Sequence, residues 1–157
     1  MADLHPTVAA SLGERYRMLA ETVRELARPL DENEFWSKPF PFGNSFGHLV
    51  LHLTGNLNYY VGRQVSGTGY ARDRDREFSE KDRPSKAHVM KCFDQAIDLV
   101  LETISLQQPG DWSKEYTATG EEDAGSRFNI LLRCCTHLHH HIGQMTYLVN
   151  GAKSLAA

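Results

Sequence analysis

The spacing of apolar residues is the feature that most restricts how this chain can fold. In four stretches, apolar side chains recur at intervals of three and four residues, which is the pattern of a helix that buries one face. The stretches run from Val8 to Leu26, from Phe46 to Val61, from Val89 to Ile104 and from Phe128 to Val149. The pattern predicts an all-α chain, and four such helices fit a four-helix bundle better than any other packing of these parts.

The segments between these helices differ in length and character. Residues 67–84 are polar and highly charged, which predicts a long crossover loop between the second and third helices. Residues 112–119 contain β-favouring side chains, but the stretch is short and has no obvious partner, so we expect an irregular or briefly extended connection and no sheet. Gly151 lies where a C-terminal cap of the last helix is expected. One helical domain spanning residues 1–157 is the simplest organisation.

Composition argues against several classes of function. A net charge of -3, without a helical stripe of Lys and Arg, disfavours nucleic acid as a partner. No apolar run approaches the roughly 20 residues of a membrane-spanning helix. Residues 1–11 lack the pattern of a signal peptide or lipidation site, which predicts a cytoplasmic protein. Of three cysteines, Cys134 and Cys135 are adjacent, which favours reduced thiols over a disulfide framework.

Histidines are the most unusual component of the sequence. There are eight, and four of them fall between His137 and His141. His137 and His141 are four residues apart on a predicted helix, so both rings can reach one ion. The second helix offers His48 and His52 at the same spacing, and His52 lies deeper in its helix. Because such a pair also arises by chance in a histidine-rich segment, spacing alone leaves ordinary structural histidines as an equal alternative.

Three imidazoles would suit a borderline divalent metal. Neutral nitrogen ligands are typical of zinc, nickel, copper and iron sites, and three of them leave at least one coordination position for water or substrate. We expect one divalent ion, with zinc or nickel favoured.

Several neighbours of the histidines could contribute to such a site. Asn56 and Tyr59 follow His52 by four and seven residues and could line a pocket or hydrogen-bond to a ligand, or could be ordinary interhelical contacts. Gln144 follows His141 by three residues and could contact a ligand or the substrate. Gly143 could allow a close helix approach.

Other groups have weaker claims to a place in the site. Cys134 could be a fourth ligand, although a small buried thiol is its commoner role. His139 and His140 point to other faces of their helix. The segment from Arg72 to Arg76 alternates in charge, which is typical of a solvated loop, but its arginines could also close over the site as a lid that binds an anion.

Two motifs carry a family resemblance. The string S-F-G-H-L-V-L-H ending at His52 and the string H-L-H-H-H-I-G-Q from His137 to Gln144 resemble the motifs of the DinB and YfiT-like superfamily. The resemblance implies an up-down-down-up bundle with a long crossover, and it implies His52, His137 and His141 as the metal ligands, so His48 is dropped. Ile142 stands where this family often has Arg, which weakens any inference of an anionic contact there.

The resemblance also limits what can be expected of the activity. The string G-N-L-N-Y-Y after His52 and the loop from Arg72 to Phe78 are similar to an uncharacterised branch, from which no reaction carries over. The superfamily implies thiol-S-transferases that use a low-molecular-weight thiol such as mycothiol or bacillithiol, related isomerases, and metal-dependent hydrolases. It also implies a small-molecule substrate and a homodimer.

We favour the thiol transferase among these activities. No Asp or Glu stands at helical spacing from the histidines to serve as the general base of a hydrolase, whereas activation of a thiol by the metal requires no such base. The alternatives are a metal-dependent hydrolase and a non-enzymatic, stress-associated metal-binding protein.

Overall fold

The computed structural model describes residues 4–79 and 81–156, with side chains described as far as Lys153. The remaining positions of the predicted domain, 1–3, 80 and 157, lie outside the described residues. The chain is mostly helical, which confirms the all-α prediction. Its helices are α1 (His5–Ala27), α2 (Glu32–Trp36), α3 (Phe46–Leu57), α4 (Arg74–Glu77), α5 (Lys86–Leu106) and α6 (Arg127–Ala156). Smaller elements are a π-helical continuation of α3 (Asn58–Arg63), a 3₁₀ turn (Pro109–Asp111) and the strands β1 (Glu115–Tyr116) and β2 (Gly125–Ser126).

The four predicted helices are α1, α3, α5 and α6, and they enclose one apolar core. Helix α5 packs against α1 and α3, and α6 packs against the same two helices. The Tyr16 ring is fully buried, and its hydroxyl donates a 2.7 Å hydrogen bond to the Leu131 carbonyl, which ties α1 to α6. This packing holds α3 and α6, the two helices with the histidine motifs, in direct contact.

Side-chain caps explain where two of these helices begin. The Ser45 hydroxyl accepts a hydrogen bond from the His48 backbone N–H at the start of α3, and Ser85 does the same for the His88 N–H at the start of α5. The Ser45 cap sets the start of α3 and thereby the position of His52 along it.

Two short helices occur where only connections were expected. Asp31 and Glu34 form a capping box at the start of α2, a local signal that the apolar pattern does not include. The predicted crossover loop contains α4, which is capped by Asp73. Because α4 has a single turn, it has too few residues to show a helical period in the sequence.

The expectation of no sheet was wrong. Strands β1 and β2 form one antiparallel pair in which Glu115 faces Ser126 and Tyr116 faces Gly125. The partner strand consists of Gly and Ser, which have no β-favouring pattern, so sequence alone did not reveal it. The Tyr116 hydroxyl donates a hydrogen bond to the Tyr60 carbonyl at 3.0 Å, which anchors this pair to the π-helical continuation of α3.

Both glycine interpretations in α6 were wrong. The helix continues through Gly151 to Ala156, and Gly151 makes room for the Phe40 ring instead of capping the helix: a Cβ atom there would lie 2.5 Å from Phe40 Cζ. Gly143 does not serve a close helix approach, since a Cβ atom there would meet nothing within 4 Å. The close contact of α6 therefore lies two turns beyond the position expected.

Within the described residues, no helix combines the length and the apolar character needed to cross a membrane.

Candidate metal centre

Three histidine side chains from two helices converge on one point. His52 extends from α3, and His137 and His141 extend from successive turns of α6. The Nε2 atom of His137 lies 3.3 Å from Nε2 of His52 and 2.9 Å from Nε2 of His141. One ring nitrogen from each residue falls within 4.8 Å of the other two. The structure thus brings together the three residues that the sequence singled out.

The outer nitrogen of His52 is held by a carboxylate. Glu77, at the end of α4, lies with Oε2 2.9 Å from His52 Nδ1, so the Nδ1–H donates to the carboxylate. Arg72 binds the same carboxylate twice, from Nε to Oε1 at 2.7 Å and from Nη2 to Oε2 at 2.9 Å. All three side chains are nearly buried, with 7 to 11% of their surface exposed. The crossover segment therefore fixes the orientation of a ring that lies on α3.

Gly55 makes room for this carboxylate. A Cβ atom at Gly55 would lie 2.0 Å from Glu77 Oε1, so no larger residue can stand there while Glu77 keeps its place. Burial alone would raise the pKa of Glu77, but hydrogen bonds from His52 and Arg72 outweigh burial and hold the pKa below its ordinary value. The carboxylate is therefore ionised at neutral pH and acts as an acceptor.

The two histidines of α6 have different surroundings. His141 Nδ1 lies 2.7 Å from Oε1 of the exposed Gln144, so the Nδ1–H of His141 donates to this amide oxygen. His137 Nδ1 is buried and has no hydrogen-bond partner within the described part of the chain. The outer nitrogen of His52 is thus supported by a buried carboxylate and that of His141 by an exposed amide, whereas that of His137 has no such support among the described residues.

The electrostatics favour neutral imidazoles. Burial, aided by the neighbouring histidines, lowers the pKa of His137 to about 3. Burial also lowers the pKa of His141, more than its bond to Gln144 raises it. At neutral pH these rings are uncharged and can donate a nitrogen lone pair.

The donor set fits a divalent metal ion. With its Nδ1 proton directed at an oxygen acceptor, the neutral His141 ring presents its Nε2 lone pair to His137 Nε2. The Nδ1 proton of His52 is also directed at an oxygen, and the His52 Nε2 atom faces the same His137 nitrogen. One proton on His137 Nε2 could satisfy only one of these contacts. Two nitrogens that bind one ion at about 2.1 Å lie about 3.0 to 3.4 Å apart for right-angled to tetrahedral geometry. The observed separations of 2.9 and 3.3 Å are close to this range.

Residues proposed around the histidines fall into two groups. Gln144 contacts a histidine of the cluster, as expected of a supporting residue. Asn56 is buried and Tyr59 half-buried against the Tyr60 ring, but within the described chain neither hydrogen-bonds to the three histidines. Their place at the site stays a prediction.

Two further candidates have structural roles. His48 is fully buried; its Nδ1 lies 2.8 Å from the Ser45 hydroxyl, and its Nε2 lies 3.2 Å from the Ser79 carbonyl. Cys134 is buried, burial raises its pKa, and it is not part of the ligand cluster among the described residues. These positions agree with the exclusion of His48 and with the commoner role of a buried thiol.

Sequence reasoning missed Glu77 as a partner of His52. Helical spacing could not reveal it, because Glu77 lies 25 residues further along the chain. One signal was available: Phe78, an aromatic residue in a charged stretch, whose ring centre lies 5.1 Å from that of His52. The lid hypothesis expected the arginines of this segment to bind an anion over the site. In the structure, Arg72 binds Glu77, and Arg76 is exposed and pairs with Asp82.

Comparison with known families gives one match. A family model described as a protein of unknown function (DUF1572) matches residues 7–155. The matched range includes all three histidines and the crossover segment with Glu77. No curated protein matches the chain.

Proposed function

We propose that this chain, which belongs to the DUF1572 family, binds one divalent metal ion through His52, His137 and His141 and catalyses thiol-S-transfer to a small electrophile. One observation carries the proposal: three imidazoles present Nε2 atoms to a common point, and two of them are oriented by Glu77 and Gln144.

We also propose that the family shares the architecture of the DinB and YfiT-like superfamily. Support comes from the order of the two histidine motifs and from the contacts of α5 and α6 with both α1 and α3. An up-down-down-up four-helix bundle, with residues 67–84 as the crossover between its second and third long helices, accounts for these contacts.

The chain's own residues would hold the ion and keep its ligands in place. His52 would be fixed in ring orientation and tautomer by Glu77, and His141 by Gln144. Three neutral ligands would leave the full positive charge of a divalent ion to act on a bound group, and zinc held in this way would lower the pKa of a bound water to about 7. Zinc and nickel suit this nitrogen set.

Thiol transfer is favoured because Glu77 is not placed to act as a general base. Its carboxylate binds the outer nitrogen of His52 and Arg72, away from the point where the Nε2 atoms converge. Within the described residues, no other carboxylate belongs to the cluster. In the proposed reaction, the thiol sulfur forms a bond to the electrophilic carbon, the leaving group departs with the bonding electrons, and the thiol proton goes to solvent.

Metal analysis and a conjugation assay test this function together. The purified protein should contain one equivalent of zinc or nickel by mass spectrometry. With mycothiol or bacillithiol and 1-chloro-2,4-dinitrobenzene it should form the thioether at least tenfold faster than H52A. The matched control is H139A, because His139 lies on the same helix but is exposed and outside the cluster.

Three results would contradict parts of this proposal. Equal metal content in wild type and H52A would show that His52 is not a metal ligand and would contradict the proposed site. Metal binding together with equal conjugation rates in wild type and H52A would contradict thiol transfer. Hydrolysis of p-nitrophenyl acetate that depends on His52 would then favour the hydrolase. Metal binding that raises only the melting temperature, with neither activity, would leave a structural metal site.

A further inference from the structure

A largely apolar cavity lies beside α6 near the histidine cluster. It measures about 520 Å³ and opens between residues 40–44, α3 and the second half of α6. This volume falls within the range of about 300 to 1,000 Å³ that is common for small-molecule sites. Its lining includes Phe40, Phe42, Leu49, Gln144, Tyr147 and Leu148. Among the described residues that line it there is no Asp, Glu, Lys or Arg.

Aromatic rings form one side of this cavity and are unusually exposed. Phe42 and Tyr147 each leave 74% of their surface accessible. The Phe40 ring stacks on Phe42 with centres 5.9 Å apart at 15°, and its centre lies 6.3 Å from that of Tyr147. Gly151 allows Phe40 to lie close against α6. Rings held in this way favour an offset stack or an edge contact with a flat apolar group.

The cavity adjoins the outer, Nδ1 side of His141 through two of its lining residues. Gln144 lines the cavity and accepts the hydrogen bond from His141 Nδ1. His140 also lines it, and its ring centre lies 5.2 Å from that of His141. A group bound in the cavity would therefore contact the two side chains that lie against His141, one of the three converging histidines.

We propose that this cavity binds the flat, uncharged aromatic part of the electrophilic substrate. The identification of this group as part of the substrate rests on the proposed function, but the binding of an aromatic group in the cavity does not depend on metal or on activity. A lining made mostly of aromatic and aliphatic side chains favours an apolar ligand group over a charged one.

Gly143 provides a way to fill the cavity without disturbing the core. It lines the cavity, and a Cβ atom there would meet nothing within 4 Å. Leu has a higher helix propensity than Gly by up to about 1 kcal/mol, so G143L should fold. The matched control is G110L, because Gly110 has equally open surroundings and does not line the cavity.

Calorimetric titration with 2-naphthol tests binding. We expect saturable binding to wild type, G110L and H52A, and binding at least tenfold weaker to G143L. In the conjugation assay, G143L should retain its metal, and the ratio of its kcat/KM for 1-chloro-2,4-dinitrobenzene to that for iodoacetamide should fall at least tenfold.

The outcomes separate the two proposals. If 2-naphthol binds as expected but H52A retains full activity or full metal content, the aromatic site stands and the proposed function fails. A different result is that metal binding and thiol transfer are both observed while 2-naphthol binds wild type and G143L equally, or binds neither protein. That result overturns the aromatic site. It is also overturned if wild type sediments as a dimer that G143L dissociates, because a second copy would then cover Phe42 and Tyr147.

Discussion

The two halves of the histidine site are built in different ways. On α6, His137, His141 and Gln144 fall within eight residues, and one helical turn brings each next to another. On α3, His52 has a partner, Glu77, that comes from the crossover segment 25 residues later. The α6 half is thus set by local helical geometry, while the α3 half exists only after the crossover has folded onto α3. The two halves should therefore respond differently to substitution.

The largest difference is expected at Glu77. In E77Q, His52 loses its carboxylate acceptor and Arg72 loses its charged partner. Removing one member of a buried ion pair costs about 3 to 5 kcal/mol. Loss of such a support for a metal ligand lowers metal affinity about 10- to 100-fold. Urea denaturation and competition with a chelator measure the two effects.

A suitable control for E77Q is D82N, because Asp82 also pairs with an arginine of the crossover, Arg76, but at an exposed position. Exposed pairs contribute at most about 1 kcal/mol. If E77Q and D82N lose the same small amount of stability and metal affinity, the crossover does not support the site.

A steric change in α3 should reproduce part of this effect without removing any charge. In G55A, the new methyl group overlaps Glu77 Oε1 and must displace the carboxylate from His52. Overpacking of this kind costs about 1 to 3 kcal/mol, although Ala alone would favour the helix by about 1 kcal/mol. We expect about tenfold weaker metal binding by chelator competition, in line with loss of a ligand's support.

G143A makes the same change in α6 at an open position, so it should raise the free energy of unfolding by up to about 1 kcal/mol. A gain in stability for both variants would show that Glu77 can move aside from Gly55 at no cost, and would contradict the close fit described above.

The same contrast explains how far sequence alone predicts the fold. The stripes that begin at Val8, Phe46, Val89 and Phe128 predict the four long helices, because each helix is long enough for its period to repeat. The single turn of α4 and the two-residue strands are too short to show any period. Gly151 shows a different limit: its role depends on Phe40, a residue more than 100 positions away, and no local pattern contains that contact.

The candidate site divides along the same line. Spacing places His137, His141 and Gln144 together, and the motif resemblance adds His52. Apart from the neighbouring aromatic residue Phe78, nothing local indicates that Glu77 reaches His52, since that contact depends on the path of residues 67–84 over α3. The missed residue is thus the one whose position is determined by tertiary structure alone.

A pH titration should distinguish His137 from exposed histidines of α6. The pKa of His137 in the folded chain is lowered to about 3 from its ordinary value of 6.5, so the unfolded chain binds more protons between these values. The stability that His137 contributes is therefore fully present above about pH 6.5 and falls as pH decreases, by at most about 1.4 kcal/mol per pH unit. His141, whose pKa is also lowered, adds to the slope in the same direction. Urea denaturation of chelator-treated protein between pH 7 and 5 measures this slope.

H137A should reduce the slope, whereas H139A should retain it because His139 is exposed. The pKa of Glu77 is lowered below 4.5, so the stability that Glu77 contributes is lost only at lower pH, outside the range from pH 7 to 5. An unchanged slope in H137A would mean that His137 is as accessible to protons as in the unfolded chain.

The smallest effect is expected at Gln144. Its amide oxygen accepts from His141 as the Glu77 carboxylate accepts from His52, but Gln144 is exposed, so water can replace it in Q144A. Surface substitutions of this kind change stability by about 0.5 kcal/mol or less. We expect metal affinity to fall by less than about threefold, because a water molecule can accept the same hydrogen bond. Chelator competition on Q144A and E77Q side by side makes the comparison, with Q144E as a variant that retains an acceptor. A loss in Q144A as large as that in E77Q would show that burial of the partner does not matter, and that the two halves of the site are supported alike.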